Sequence, residues 1–193
     1  MVMTGRRSTL SARCGAVVGA LAVLVASPAA ADDSGALTEL VDAAARRLQI
    51  AEPVAAFKWH THGPIEDPDR VQQELAGLAT QASARQVDPD YVTKVFGDQI
   101  RATEGIEYSR FAYWKLDPAG SPAQPADLAA SRSAIDDLNQ TMLDQMADHW
   151  DLLHSPACPA QLDIARGGVV RARRLDALYQ RALALATESY CHQ

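Results

Sequence analysis

The chain is 193 residues long, 48% hydrophobic and 22% charged, with a formal net charge of −6. That balance sets aside nucleic acid and anionic lipid as main partners, because both call for a basic surface. The length suits one domain with a real core, and no internal repeat or low-complexity tract divides it.

Residues 1–31 carry the three parts of a secretory signal: Arg6, Arg7 and Arg13, then the apolar run Ala16 to Ala26, then Ala29-Ala30-Ala31 before Asp32. Cleavage is expected near Ala31/Asp32, leaving a secreted or periplasmic domain over 32–193. The apolar run falls short of the ~20 residues that span a bilayer, and no second run follows, so no membrane partner is expected after cleavage. Loss of three arginines and no acids turns the net charge of −6 into −9. An anionic ligand must then be caught by a local cluster of cations. Cys14 leaves with the signal, and Cys158 and Cys191 remain as a pair in an oxidising compartment. A disulfide between them is expected, contributing about 3–4 kcal/mol on the chain-entropy account.

From Leu37 to Trp59 the apolar positions keep helical spacing, with Pro53 inside the pattern as a kink, because it lacks an N–H and crowds the carbonyl four residues back. Arg47 and Lys58 lie eleven residues apart on nearly the same side. A connector, His60 to Glu66, leads to Asp67-Pro68-Asp69, the cap, proline and acid of a helix start. The helix that follows, to about Arg85, turns Val71, Leu75, Leu78 and Ala82 inward, with Arg70 and Glu74 as an i, i+4 pair beside them.

Asp88-Pro89-Asp90 starts the next helix, which runs to Trp114. Val92, Val95, Phe96, Ile100, Ile106 and Trp114 share its buried face, and so do Gln99, Thr103 and Glu107. A buried carboxylate is costly enough that Glu107 needs a partner, a proton or a ligand. Leu116 to Ala126, rich in proline, is a loop. Asp127 caps a helix whose inward face takes Leu128, Ile135, Met142, Met146, Trp150 and Leu153, with Arg132 and Asn139 in its middle. A last helix spans about Ala160 to Tyr190, with Gly167-Gly168 as its weak point and Arg171, Arg173, Arg174 and Arg181 on a solvated face. No alternating β pattern appears, so the fold is predicted to be all-α, a single-domain helical bundle.

Four predicted helices thus place ionisable or hydroxyl groups on or beside the faces they bury: Arg47 and Lys58, Arg70 and Glu74, Thr103 and Glu107, Arg132. That pattern describes a pocket for a small dianion or polyanion, since arginine holds carboxylates in two-point contact. No nucleophile stands beside a base, and there is no glycine-rich phosphate loop. His60, His62 and Glu66 are the rival, a metal site, but His-x-His in a loop is a low-specificity signal and no metal is expected.

The order Arg47, Lys58, Asp67, Arg70, then DPDYVTKVFGDQI with Thr103 and Glu107, resembles the all-helical chorismate mutases. With Arg132 and the Cys158/Cys191 pair it resembles their exported subclass, over essentially the whole of 32–193. The resemblance implies an isomerase that converts chorismate to prephenate by a cofactor-free pericyclic rearrangement, a step towards the aromatic amino acids. Active-site helices would occupy about 36–114 and a C-terminal helical half about 127–190. By resemblance, Arg47, Arg70 and Arg132 grip the two carboxylates with Thr103 assisting. Lys58 and a protonated Glu107 face the ether oxygen, and Asp67 helps orient the hydroxyl end or simply caps its helix. Glu74 stands where exported relatives are expected to carry glutamine, an acid that Arg70 or Lys58 would neutralise. A homodimer is also implied. An isochorismate pyruvate-lyase on the same scaffold and a non-catalytic exported helical binding protein remain as alternatives.

Overall fold

Helix α1 (Thr38–Gln49) is the axis of the molecule. Leu37, Leu40, Val41, Ala44 and Leu48 are fully enclosed, and the run Ala43-Ala44-Ala45 is small enough to admit neighbours on several sides. In the computed structural model, which describes residues 1–2, 35–124 and 127–191, α1 packs against five other helices. The chain separates between Ala31 and Asp32 into two units, and every helix among the described residues belongs to the second. The expected signal segment, from residue 3 onward, lies outside the described residues.

The bend expected from Pro53 is present, and it falls at Ile50, where α1 passes into α2 (Ala51–Thr61). Pro53 has no N–H for the carbonyl of Gln49 and its ring crowds that carbonyl, so the ladder breaks there rather than at the proline itself. Ile50 N–H donates instead to Arg47 O at 3.2 Å. Helices α3 (Pro68–Ala84), α4 (Pro89–Leu116) and α5 (Leu128–Asp148) each begin on a predicted aspartate. Asp67 accepts from Arg70 N–H, Asp88 from Asp90 N–H, and Asp127 from the N–H groups of Ala129 and Ala130.

After α5 come a short α6 (Trp150–Leu153), α7 (Cys158–Arg173) and α8 (Ala177–Ala186). The single last helix expected from sequence is therefore two, and the break is not at Gly167-Gly168, which α7 runs straight through. It lies at Arg174, whose φ of 51° is left-handed. There Leu175 N–H reaches Val170 O and Arg174 N–H reaches Arg171 O, satisfying carbonyls that the helix end leaves open. Leu175 is buried as the chain turns, and Asp176 then caps α8 through Tyr179 N–H. The same closure, again without glycine at the left-handed position, ends α2 at His62 and α3 at Gln86. Arg173 is also more than a solvated charge, because its guanidinium grips Asp42 of α1 through two N–H groups.

The core gathers α1, α4, α5, α7 and α8 around Phe96, Met142, Met146 and Leu183. A smaller aromatic cluster, Trp59, Phe111 and Trp114, joins α2 to the far end of α4 with edge-on ring contacts at 5.2 and 5.8 Å. The disulfide Cys158–Cys191 ties the start of α7 to the chain after α8. Among the described residues there is no strand, and no helix is long and apolar enough to cross a membrane.

Candidate active site

A cavity of about 280 Å³ opens where α1 to α5 meet, closed on one side by the connector at Gly63 to Ile65. All eight residues expected at the site line it: Arg47 from α1, Lys58 from α2, Asp67, Arg70 and Glu74 from the start of α3, Thr103 and Glu107 from α4, and Arg132 from α5. Five helices thus contribute to one concave surface.

Its inner wall is buried and already bonded. Arg47, 4% exposed, donates from Nε to Asn139 Oδ1 and from Nη2 to Glu74 Oε1, each at 2.8 Å. Burial holds the Arg47 guanidinium below its ordinary pKa, with Glu74 opposing the shift. Lys58 donates from Nζ to the Ile65 carbonyl at 2.6 Å and to Glu107 Oε2 at 2.8 Å. The turn after α2 makes the first contact, since Gly63 N–H closes back on Lys58 O and brings the following residues beside the ammonium. Lysine has three N–H donors, so one remains for a ligand. Glu107 is 2% exposed, and burial raises its carboxyl above the ordinary value despite the hydrogen bond and charge of Lys58. Of the partner, proton or ligand expected for Glu107, the structure supplies a partner, Lys58.

The outer wall differs from expectation. Arg132 is exposed at the rim of the cavity, not in the middle of the buried face of α5, because that face turns about Leu138, Asn139 and Met142. Arg70 is exposed as well. Glu74, expected to answer Arg70 or Lys58, turns inward to Arg47 instead, where a buried guanidinium gains more from a charge than an exposed one does. Thr103 spends its hydroxyl proton on Gln99 O, leaving oxygen lone pairs but no free donor until that bond opens. Asp67 lines the cavity while its carboxylate caps α3.

Sequence reasoning left out Glu104 and Asp136, which line the cavity, and also Asn139, which sat on the inward face and lies behind the lining, bonded to Arg47 and Glu74. Glu104 lies three residues before Glu107 and Asp136 four after Arg132, spacings that share a helix face and were readable. Burial raises the Glu104 carboxyl, Glu66 adds to the shift, and Lys58 opposes it. Acids and cations are therefore interleaved, so the cavity offers directed N–H groups rather than a uniformly positive field. The rival metal set is dispersed: His60 Nε2 contacts Pro122 O at 2.7 Å, and Glu66 accepts from Tyr108 Oη at 2.7 Å.

Fold and site together define an all-helical protein with one cavity at the meeting of five helices, lined by three arginines and by one lysine and one buried carboxyl side by side. The sequence profile of the family described as Chorismate mutase type II matches residues 38–108. The chain is 59% identical to the secreted chorismate mutase of Mycobacterium tuberculosis, over 92% of this chain and 89% of that protein. It is 50% identical to the secreted chorismate mutase of Mycolicibacterium smegmatis, over 90% and 96%. The crystal structure of chorismate mutase from Burkholderia thailandensis superposes with a TM-score of 0.76 at 36% identity, covering 81% of this chain and 99% of that one. The chain belongs to the chorismate mutase type II family.

Proposed function

We propose that the protein is an exported chorismate mutase, an isomerase that rearranges chorismate to prephenate on the route to aromatic amino acids. The observation that carries this reading is the convergence of Arg47, Lys58, Arg70 and Arg132 with Glu107 on one cavity. In the reaction one C–O bond breaks and one C–C bond forms within the same molecule, so no nucleophile, redox partner or cofactor is called for. What the protein must do is hold the compact conformer and stabilise charge on the departing ether oxygen.

Among the described residues, Arg70 and Arg132 have their guanidinium groups free for substrate carboxylates, and Arg47 offers the donors that Asn139 and Glu74 leave. The third proton of Lys58 and the carboxyl proton of Glu107 are directed at the ether oxygen. Glu107 can donate only when protonated, and its burial keeps that proton to higher pH than an ordinary carboxylate would. Thr103 assists at a carboxylate and Asp67 near the hydroxyl end.

Export by cleavage near Ala31/Asp32 belongs to the same reading, supported by the unit boundary at that point and by relatives that bear the word secreted in their names. Assembly as a homodimer belongs to it also, and sedimentation of the processed protein tests it.

The deciding experiment follows the ultraviolet absorbance of chorismate with the parent and Lys58→Ala side by side. The parent should consume chorismate and yield prephenate, and the variant should be nearly inactive. Chorismate left intact by the parent, or pyruvate and salicylate released from isochorismate instead, would reject the assignment.

A further inference from the structure

Behind the inner wall sits a side chain to which the rearrangement itself gives no role. Asn139 is 3% exposed; its Oδ1 accepts from Arg47 Nε at 2.8 Å and its Nδ2 donates to Glu74 Oε1 at 3.3 Å. Glu74 Oε1 in turn accepts from Arg47 Nη2 at 2.8 Å. Side chains from α5, α3 and α1 therefore close a ring of three hydrogen bonds around the guanidinium.

Arginine presents five N–H donors in a rigid planar fork. Nε and Nη2 share one edge of that fork, and the ring takes a donor from each. Both protons of Nη1 and the second proton of Nη2 remain. A ligand carboxylate can then make a two-point contact only on the edge between Nη1 and Nη2.

We propose that Asn139, together with Glu74, is a positioning residue that fixes the Arg47 fork and so determines which edge the substrate carboxylate meets. The inference deepens the chorismate mutase reading and rests on it. It also accounts for the acid at position 74. The ring needs one negative charge to balance buried Arg47 and one amide, whose oxygen accepts from Arg47 while its N–H donates to that negative charge. Two acids facing each other would repel, and two amides would leave the guanidinium uncompensated. A carboxylate of the substrate keeps its charge through the rearrangement, so the contact is equally strong in ground and transition states. Loss of positioning should therefore appear in KM far more than in kcat.

Exchanging the acid and the amide tests this. Asn139→Asp sets a second carboxylate against Glu74 and should raise KM about tenfold while kcat changes less than about threefold. Adding Glu74→Gln to Asn139→Asp restores one charge and one amide, and should return KM to within about threefold of the parent. Asn139→Leu should raise KM with no rescue by Glu74→Gln; Asn139→Ser replaces it if the leucine variant does not fold, which circular dichroism and melting temperature check. Parental KM in the folded Asn139 variants, or a double variant no better than Asn139→Asp alone, overturns the inference while parental turnover of chorismate still upholds the reading. A parent that leaves chorismate unchanged overturns both.

Discussion

The cavity has two kinds of cation, and the contrast between them shows how the site is organised. Arg47 and Lys58 are inside, each bound to a carboxylate and to a second oxygen before any ligand arrives. Arg70 and Arg132 stand at the rim, exposed, with guanidinium groups that make no ion pair or hydrogen bond among the described residues. The inner pair is preorganised: its desolvation was settled on folding and its geometry is fixed by partners. The rim pair is hydrated and must give up rotamer freedom when a ligand binds. On the proposed function, fixed geometry thus belongs to the inner pair, Lys58 at the breaking bond and Arg47 at a carboxylate, and capture belongs to the rim.

The sharpest way to break this contrast is Lys58→Ala. It removes the donor at the ether oxygen and leaves Glu107 buried without its partner, so kcat/KM should fall on the order of 10³-fold in a steady-state assay. Next is stability. Arg47→Ala strands Glu74 at the inner wall and Asn139 behind it and should cost about 3 kcal/mol in urea unfolding, whereas Arg132→Ala should cost less than about 0.5 kcal/mol. Equal costs would mean that inner and rim cations are not different in kind.

Smaller effects sharpen the distinction. Arg70→Ala and Arg132→Ala should each raise KM about tenfold. Raising ionic strength to about 0.5 M should weaken substrate capture in the parent more than in either rim variant, because salt screens exposed charges more than buried ones. The mildest test is pH. The protonated form of Glu107 is the donor, and burial raises its carboxyl, so activity should hold to higher pH than an ordinary carboxylate allows and then decline as that proton is lost. Glu107→Gln, which keeps a donor and cannot titrate, should show no such decline; a profile like the parent's would remove Glu107 from the mechanism.

Helix starts were legible because they are local. Asp67-Pro68-Asp69 and Asp88-Pro89-Asp90 place cap, fixed φ and dipole partner within three residues, and the chain begins helices at both. Helix ends were less so. Gly167-Gly168 suggested a break that does not occur, since the buried packing of Leu162, Ala165 and Val169 carries α7 past it. Arg174 gave no warning, because its left-handed turn is held by backbone bonds and by burial of Leu175 rather than by glycine. Inward placement of Glu107 followed from its spacing with Phe96 and Ile100, three turns and two turns back on the same face, whereas Arg132 shared a helix with buried residues and still emerged at the rim.

By itself the sequence determined which helix each ionisable group rides on, roughly which way that face turns, and that an anion pocket must result from so many cations beside apolar stripes. Only tertiary structure decided the pairings: Glu74 with Arg47 rather than Arg70, Asn139 with both, Arg173 with Asp42. The reason is one of range. Helical periodicity is a property of neighbours along the chain, but a hydrogen bond forms or fails within a few ångströms, and residues 27, 92 and 131 positions apart reach that distance only once the helices have packed.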